Sequence, residues 1–419
     1  MTLVQKRVLL ISSFFRLMTL MAFAMILQYR LREIGASLLM ISMLAAVTGG
    51  MQSITSPLWG RLADISGLRG KLLLIIGAIA AVFYPLYGFL SIPMLFLFVA
   101  GVIAFFEAGF NPIAMSLMSE SSGDDVELRS KNLSLLNAAS AVGILAGRLS
   151  LSGALSIWSV GTTVSLLSLG ALFAALPTIF VPSRVRSGEA NENSGSAAAG
   201  APADRAPAAG STAHYTSARL RLLPRKDDLK SHGMWAVYLG TFIRNIGVAG
   251  FISISALYMK EGIGLSESRS MLVAGIDPLF MFVAHLYFGR KMIKFGIKRT
   301  MLLGTIITII SFTSFFLATT WLLTIVGWIC IGLAYGAFHN ASVTFVSLYY
   351  PSPRRGEGIG YIWTANTLGI MIGPLIAGAT AEVSYSLMLL SMIGFSMLGL
   401  LILWLFVTPD KRVPAEAEK

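Results

Sequence analysis

The sequence predicts an all-α integral membrane protein of twelve spans, built as two six-helix bundles related by a pseudo-twofold axis. Three observations predict it. Of 419 residues, 55% are hydrophobic and only 12% charged, about half the ~25% charged content of soluble domains. Apolar runs of roughly 20 residues, the length of a bilayer-crossing helix, recur along the chain. The second half also repeats landmarks of the first at a nearly constant offset.

The first apolar run, about 7–28, follows Lys6 and Arg7. It is too long for the apolar region of a signal peptide, and no small-residue cleavage site follows, so it reads as the first span. Further spans fall at about 37–59, 72–91, 93–118, 132–154 and 157–181, then at 233–257, 268–288, 300–318, 321–347, 358–380 and 384–407. Ser91-Ile92-Pro93 separates the third from the fourth. Residues 183–231 contain SGEANENSGSAAAGAPADRAPAAGST, which is too poor in apolar residues to bury a core and reads as a flexible linker. The expected organisation is a first bundle at 1–182, the linker at 183–231 and a second bundle at 232–419. The basic stretch SARLRLLPRKDDLK that ends the linker either rests on an anionic membrane face or is a solvated loop.

Lysine and arginine set the expected orientation. They concentrate at both termini, in the linker, and in the loops after spans 2, 4, 8 and 10. The opposite side has only Arg30, Arg32, Lys260 and Arg269. Both termini are therefore expected in the cytoplasm, with the chain in the cell membrane. The net charge of +12 becomes a topology signal, and nucleic-acid binding is not expected. The single cysteine, Cys330, excludes an intramolecular disulfide. No cofactor or metal is expected. No G-x-x-x-x-G-K-[ST] phosphate loop and no nucleophile–base arrangement occurs, so the chain does not read as an enzyme or a primary pump.

The repeat is visible residue by residue. A shift of 229 places Tyr29 on Tyr258, Gly35 on Gly264, Ser37 on Ser266, and Gly60, Arg61 and Gly67 on Gly289, Arg290 and Gly296. A shift of 226 places Gly143 and Gly147 on Gly369 and Gly373. Two similar sets of six spans joined by a flexible loop are the organisation of a transporter made of repeated halves.

The loop Gly60-Arg-Leu-Ala-Asp64-Ile-Ser-Gly67-Leu-Arg69-Gly-Lys71 resembles the signature between helices 2 and 3 of the major facilitator superfamily, G-x-L-A-D-x-x-G-x-R-x. With the repeat and the twelve spans, the resemblance covers essentially the whole chain. It implies that Asp64 meets the N-terminal end of helix 11, near Gly356–Gly360, with Arg69 and Glu120 nearby. Such contacts would form a cytoplasmic latch in the outward-facing state. A topogenic turn with solvated charges is the plainer alternative. Ile293 stands where a second Asp64 would fall, which weakens the case for a second latch.

Five charges fall inside spans: Arg16, Glu107, Arg148, Arg244 and Asp277. A charge at mid-membrane costs at least ~2.5–3.5 kcal/mol, so each is expected to face a partner or a wet cavity. Arg16 and Arg244 are near-equivalent in the repeat. The resemblance places helices 1, 4, 7 and 10 around a cavity, where two facing arginines would suit an organic anion. The alternative is that each anchors helix carbonyls or a carboxylate. Glu107 leads as a proton-coupling residue, because a desolvated carboxylate can exchange a proton near neutral pH. A permanent ion pair with Arg16 or Arg148 is its alternative. Asp277, just before the helix-breaking Pro278, is either a second proton site or half of a structural pair. Arg148, Asn111, His339 and Asn340 are further candidates to bind substrate; the simpler reading is an ion pair with a carboxylate for Arg148 and an interhelical hydrogen bond for each of the others.

The drug-exporter branch often carries a helix-4 arginine, where this chain has Phe105, and Arg148 replaces the proline of that branch's helix-5 motif. The helix-11 copy, Gly369 to Gly378, fits better. The chain is thus expected to be a monomeric, proton-coupled secondary transporter of a small molecule working by alternating access, with export of small organic or amphiphilic compounds favoured. One alternative is uptake or exchange of an organic anion held by Arg16 and Arg244. Another is a non-transporting membrane receptor or assembly factor, which requires fully paired interior charges and a closed cavity.

Overall fold

The computed structural model describes residues 3–121, 126–181, 226–349 and 355–408. These residues form twelve helices long and apolar enough to cross a bilayer. Helices 1 and 2 are Leu3–Glu33 and Leu38–Ser66. Helix 3 is Arg69–Phe83 continued by Leu86–Phe89, and helix 4 is Pro93–Glu107 continued by Phe110–Glu120. Helices 5 and 6 are Val126–Ile157 and Val160–Ala175, the latter ending in a 3-10 turn, Leu176–Phe180. In the second half, helix 7 is Met234–Leu257 with a terminal π turn, Tyr258–Gly262, and helix 8 is Glu267–Ala274 continued by Ile276–Phe295. Helices 9 to 12 are Ile297–Phe316, Trp321–Tyr349, Arg355–Val383 and Tyr385–Phe406. Of the segment assigned to the linker, 226–231 is ordered, with Lys226–Lys230 forming a short helix. Residues 183–225 lie outside the described residues.

Local chemistry explains the helix boundaries. Four helices that start at the end away from the termini are capped by serine. Ser37, Ser159, Ser266 and Ser384 accept from the amides of Met40, Thr162, Arg269 and Leu387, satisfying N–H groups that have no partner within the helix. The sharp turn between helices 2 and 3 uses Gly67 at φ 62°, a left-handed conformation that a side chain would resist, and its N–H bonds the Ala63 carbonyl.

The repeat extends to packing. Gly143 and Gly147 of helix 5 press against the carbonyls of Phe14 and Met18 on helix 1. Gly369 and Gly373 of helix 11 press in the same way against those of Phe242 and Ile246 on helix 7. Small residues let two helix backbones approach this closely within lipid, where packing rather than water exclusion holds helices together.

Between the halves, helix 1 packs on 7, helix 2 on 11 and helix 5 on 8. Away from the termini a single apolar core runs through both halves, uniting Phe23, Tyr87 and Phe96 with Phe251, Phe315 and Trp328. At the end bearing the termini the core divides in two. One part, around Trp59, Leu73 and Phe110, belongs to the first half, and the other, around Met301, Phe345 and Ile362, to the second. Helix 11 displays the change along one stripe. Gly378 touches Leu39 and Ser42 of helix 2, and Ile370 touches Gly49. Trp363, two turns further toward the termini on the same stripe, is 48% exposed. Among the described residues the halves are closed at one end and parted at the other.

Candidate functional site

The interior charges sort into three groups. In the first half, Arg16 donates from Nε to Glu107 Oε2 at 2.5 Å, from Nη1 to Asn111 Oδ1 at 3.1 Å and from Nη2 to the Glu107 carbonyl at 3.0 Å. Both charged side chains are buried, and the guanidinium also covers the Phe110 ring at 4.5 Å. Helix 4 breaks between Glu107 and Phe110, and that break frees the Glu107 carbonyl for the third bond. A small void beside the pair is lined by Leu73, Ile76 and Ala171, from helices 3 and 6. Arg16 therefore faces the inside of its own bundle, in the pair expected as the alternative for Glu107, and does not face Arg244 across a cavity.

The second group crosses the halves. Arg148 of helix 5 donates from Nη1 to Asp277 Oδ2 at 3.1 Å and to the Ala274 carbonyl. Pro278 has no N–H, so the Ala274 carbonyl four residues earlier has no helical partner. The arginine of the opposite half fills that vacancy. Its guanidinium also lies 5.5 Å from the Trp328 ring.

Several further bonds seal the same end. Ser152 and Ser268 exchange hydrogen bonds with each other's carbonyls at 2.9 and 2.8 Å. Arg32 holds Glu261 by two bonds, at 2.8 and 3.2 Å, and Tyr385 donates to the same carboxylate at 2.8 Å. Glu382 accepts from the Leu39 amide at 3.0 Å. The Gln28 side chain enters helix 7 itself. Its Nε2 donates to the Ile252 carbonyl at 3.2 Å and its Oε1 accepts from the Ala256 amide at 3.0 Å. Those two groups stand four residues apart, the spacing of a bond within the helix.

The third group lies in the second half. Arg244, 3% exposed, donates from Nε and Nη2 to Thr308 Oγ1 at 3.2 and 2.9 Å and lies 4.3 Å over the Phe338 ring. No carboxylate pairs with it among the described residues. The repeat explains the difference, because Asn340 falls on Asn111 while Gly336 falls on Glu107. Gly336 packs on Ala284 and the backbone of His285, leaving no room for an acidic side chain. Arg244 lines a small void, as small as the one beside Arg16, with Thr241, Tyr335, His339, Trp363 and Asn366. His339 stacks on Tyr335 at 5.4 Å with 9° between the rings and meets Trp363 at 5.5 Å. Asn340 turns away to His285. Its Oδ1 accepts from Nδ1 at 2.9 Å, which places the imidazole proton there, and its Nδ2 donates to the His285 carbonyl at 3.2 Å.

The sequence reading missed His285, Thr308, Tyr335, Trp363, Asn366 and Gln28. Asn340 on Asn111 in the repeat would have pointed to the helix-10 face, but tyrosines and tryptophans inside apolar runs carry no signal that separates a cavity wall from a lipid-facing belt. In the loop after helix 2, Gly60 is half-buried, Arg61 is exposed and Arg69 opens helix 3. The side chains of Asp64 and Glu120, and those of helix 11 before Gly358, lie outside the described residues, and so does the expected latch.

The sequence matches the Major Facilitator Superfamily over residues 9–235 and 237–419. No curated protein sequence matches the chain. Among solved structures, a mutant form of the nucleoside transporter NupG superposes with a TM-score of 0.79 at 15% identity, covering 96% of this chain and 100% of the other. A bacterial homolog of the human lysosomal transporter Spinster, in an inward-facing and occupied conformation, gives 0.73 at 13% identity, with 96% and 95% covered. A structure from work on proton dependent oligopeptide transporters gives 0.71 at 12% identity, with 96% and 98% covered. At these identities the likeness is one of fold. With twelve spans, a repeated half and a family match across nearly its whole length, the chain belongs to the major facilitator superfamily.

Proposed function

We propose that the protein is a proton-coupled secondary transporter of the cell membrane, monomeric, in its inward-facing state. The halves 1–182 and 232–419 rock about a central site while the segment 183–231 joins them. One observation carries the reading: the two halves share a core at one end and have separate cores at the other. The lysine and arginine asymmetry supports a cytoplasmic location for the parted end, which bears both termini. An acid-free Arg244 and a half-exposed Trp363 beside a void are the opposite of what a non-transporting receptor requires.

Asp277 takes the leading place in coupling that the sequence reading gave to Glu107. The Glu107–Arg16 pair lies within one half and can survive rocking intact. The Asp277–Arg148 pair joins the halves and must break when that end opens. A proton on Asp277 removes the charge that holds the pair, so protonation and opening are one event. The test is the distance between spin labels at Thr162→Cys and Trp321→Cys, at the closed end of the two halves, in a Cys330→Ala background. Lowering the pH is expected to populate a longer distance, and Asp277→Asn should show the longer distance at every pH. A pH response that survives Asp277→Asn would remove Asp277 from the coupling step.

Export of small organic compounds is the first reading of direction. Carriage of an organic anion is the second, favoured by the absence of an acid beside Arg244. Because Glu107 already neutralises Arg16, such an anion would rest on Arg244 alone and not on the arginine pair.

A further inference from the structure

We propose that the Arg244 site takes a small monocarboxylate carrying an aromatic ring. The proposal rests on the anion-carrier reading and names its substrate class.

The charge balance comes first. Arg16 is matched by Glu107, and Arg148 by Asp277. Arg244 alone keeps its charge, in the interior of a membrane protein, against a hydroxyl and an aromatic face. An uncompensated buried cation is costly, and a negative ligand relieves that cost. The geometry also defines how the ligand is held. Thr308 occupies the Nε–Nη2 edge of the guanidinium, while Nη1 makes no hydrogen bond among the described residues. The Nη1–Nη2 edge is the fork that receives both oxygens of a carboxylate.

The second observation is the wall of the void. The rings of Tyr335 and His339 are stacked, and that of Trp363 stands edge-on to His339 with nearly half its surface open. The Tyr335 hydroxyl, the His339 ring nitrogens and the Asn366 amide form no hydrogen bonds among the described residues, although all three side chains line the void. The exposed Trp363 ring offers a stacking face to a planar group, and the free polar groups offer bonds to ring substituents. One positive charge with no second cation beside it selects a monoanion over a dianion or a phosphate ester. The same charge rejects organic cations.

The test uses purified full-length protein and isothermal titration with five probes: benzoate, cyclohexanecarboxylate, terephthalate, benzyl alcohol and benzylamine. Benzoate is expected to bind and the alcohol and amine to give no heat. Cyclohexanecarboxylate and terephthalate should each bind at least about fivefold more weakly than benzoate. Arg244→Gln should weaken benzoate by at least about thirtyfold, the loss of a charge-assisted bond. Trp363→Leu, at an exposed position where the fold is expected to persist, should weaken it about tenfold without affecting the weaker binding of cyclohexanecarboxylate. The probe series in the unaltered protein and Trp363→Leu decide the matter even if Arg244→Gln does not fold. Silence toward benzoate, equal binding of cyclohexanecarboxylate, or full affinity in Trp363→Leu would overturn the proposal.

The spin-label distances separate this outcome from failure of the transporter reading. If they still interconvert with pH while benzoate does not bind, only the substrate class falls. If they never interconvert, alternating access itself fails.

Discussion

Arg148 and Asp277 meet at 3.1 Å across the two halves, and the same guanidinium bonds the Ala274 carbonyl that Pro278 leaves without a helical partner. An imperfection in one half thus becomes the attachment point for the other. The opening of helix 8 at Gly275 and the charge at Asp277 serve a single contact.

Removing either side of that contact should favour the state open at the end away from the termini. Replacing one partner of a buried ion pair costs on the order of 3 kcal/mol, here drawn from the closed state alone. Arg148→Leu is expected to raise maleimide labelling of Ser268→Cys at least tenfold in a Cys330→Ala background. The exchange Arg148→Asp with Asp277→Arg should bring labelling back toward the starting level. Unchanged labelling in Arg148→Leu would mean that the remaining bonds hold this end closed.

The Arg16–Glu107 pair answers differently because both partners lie in one bundle. Glu107→Gln leaves a buried guanidinium without its counter-charge and is expected to lower stability by about 3–5 kcal/mol. The double variant Arg16→Met with Glu107→Leu should recover most of that loss, since a well-packed apolar pair can replace a buried ion pair. Thermal unfolding in detergent measures both. A single variant as stable as the original protein would show that the pair is dispensable for folding.

Gln28 makes a prediction about one amide. Its side chain bonds both the Ile252 carbonyl and the Ala256 N–H, so Gln28→Leu should leave those two groups to the bond between them within helix 7. Hydrogen exchange at Ala256 is expected to stay slow, because the N–H trades one partner for another. The end away from the termini should open more often, read as faster exchange at Leu39, whose amide bonds Glu382 across the halves. Faster exchange at Ala256 itself would mean that helix 7 cannot close without the glutamine.

The glycine contacts give a matched comparison between the repeats. A Cβ at Gly147 or Gly373 would fall against the carbonyl of Met18 or Ile246, whereas Gly153 has open space around it. Gly147→Ala and Gly373→Ala should each cost about 1–3 kcal/mol through forced separation of backbones. Gly153→Ala should be neutral or slightly stabilising. Thermal shift on the three variants is sufficient. Equal effects at Gly147 and Gly153 would remove close packing as the reason for the helix-5 glycines.

Much of the architecture could be read before any coordinates. Apolar length marked the spans because lipid requires each to satisfy its backbone bonds within itself. The offset between Tyr29 and Tyr258, or between Gly147 and Gly373, exposed the repeat because the same helix contacts are built twice. The identity of the charged interior residues was also visible, since any charge in an apolar run is conspicuous.

What the sequence could not show was which charge meets which. Arg16 and Arg244 look like twins in the chain, yet one is neutralised and the other is not. The difference lies in Gly336 standing where Glu107 does, and in the path of helix 10 against helix 8. Arg148 and Asp277 are 129 positions apart, and only the approach of helices 5 and 8 makes them partners. The pattern of apolar and basic residues determined the twelve spans and the doubled plan, because partition into lipid is a property of each segment alone. The tertiary structure decided the Arg148–Asp277 contact, the divided core and the acid-free arginine. Those depend on how the two halves lean against each other, which no local pattern encodes.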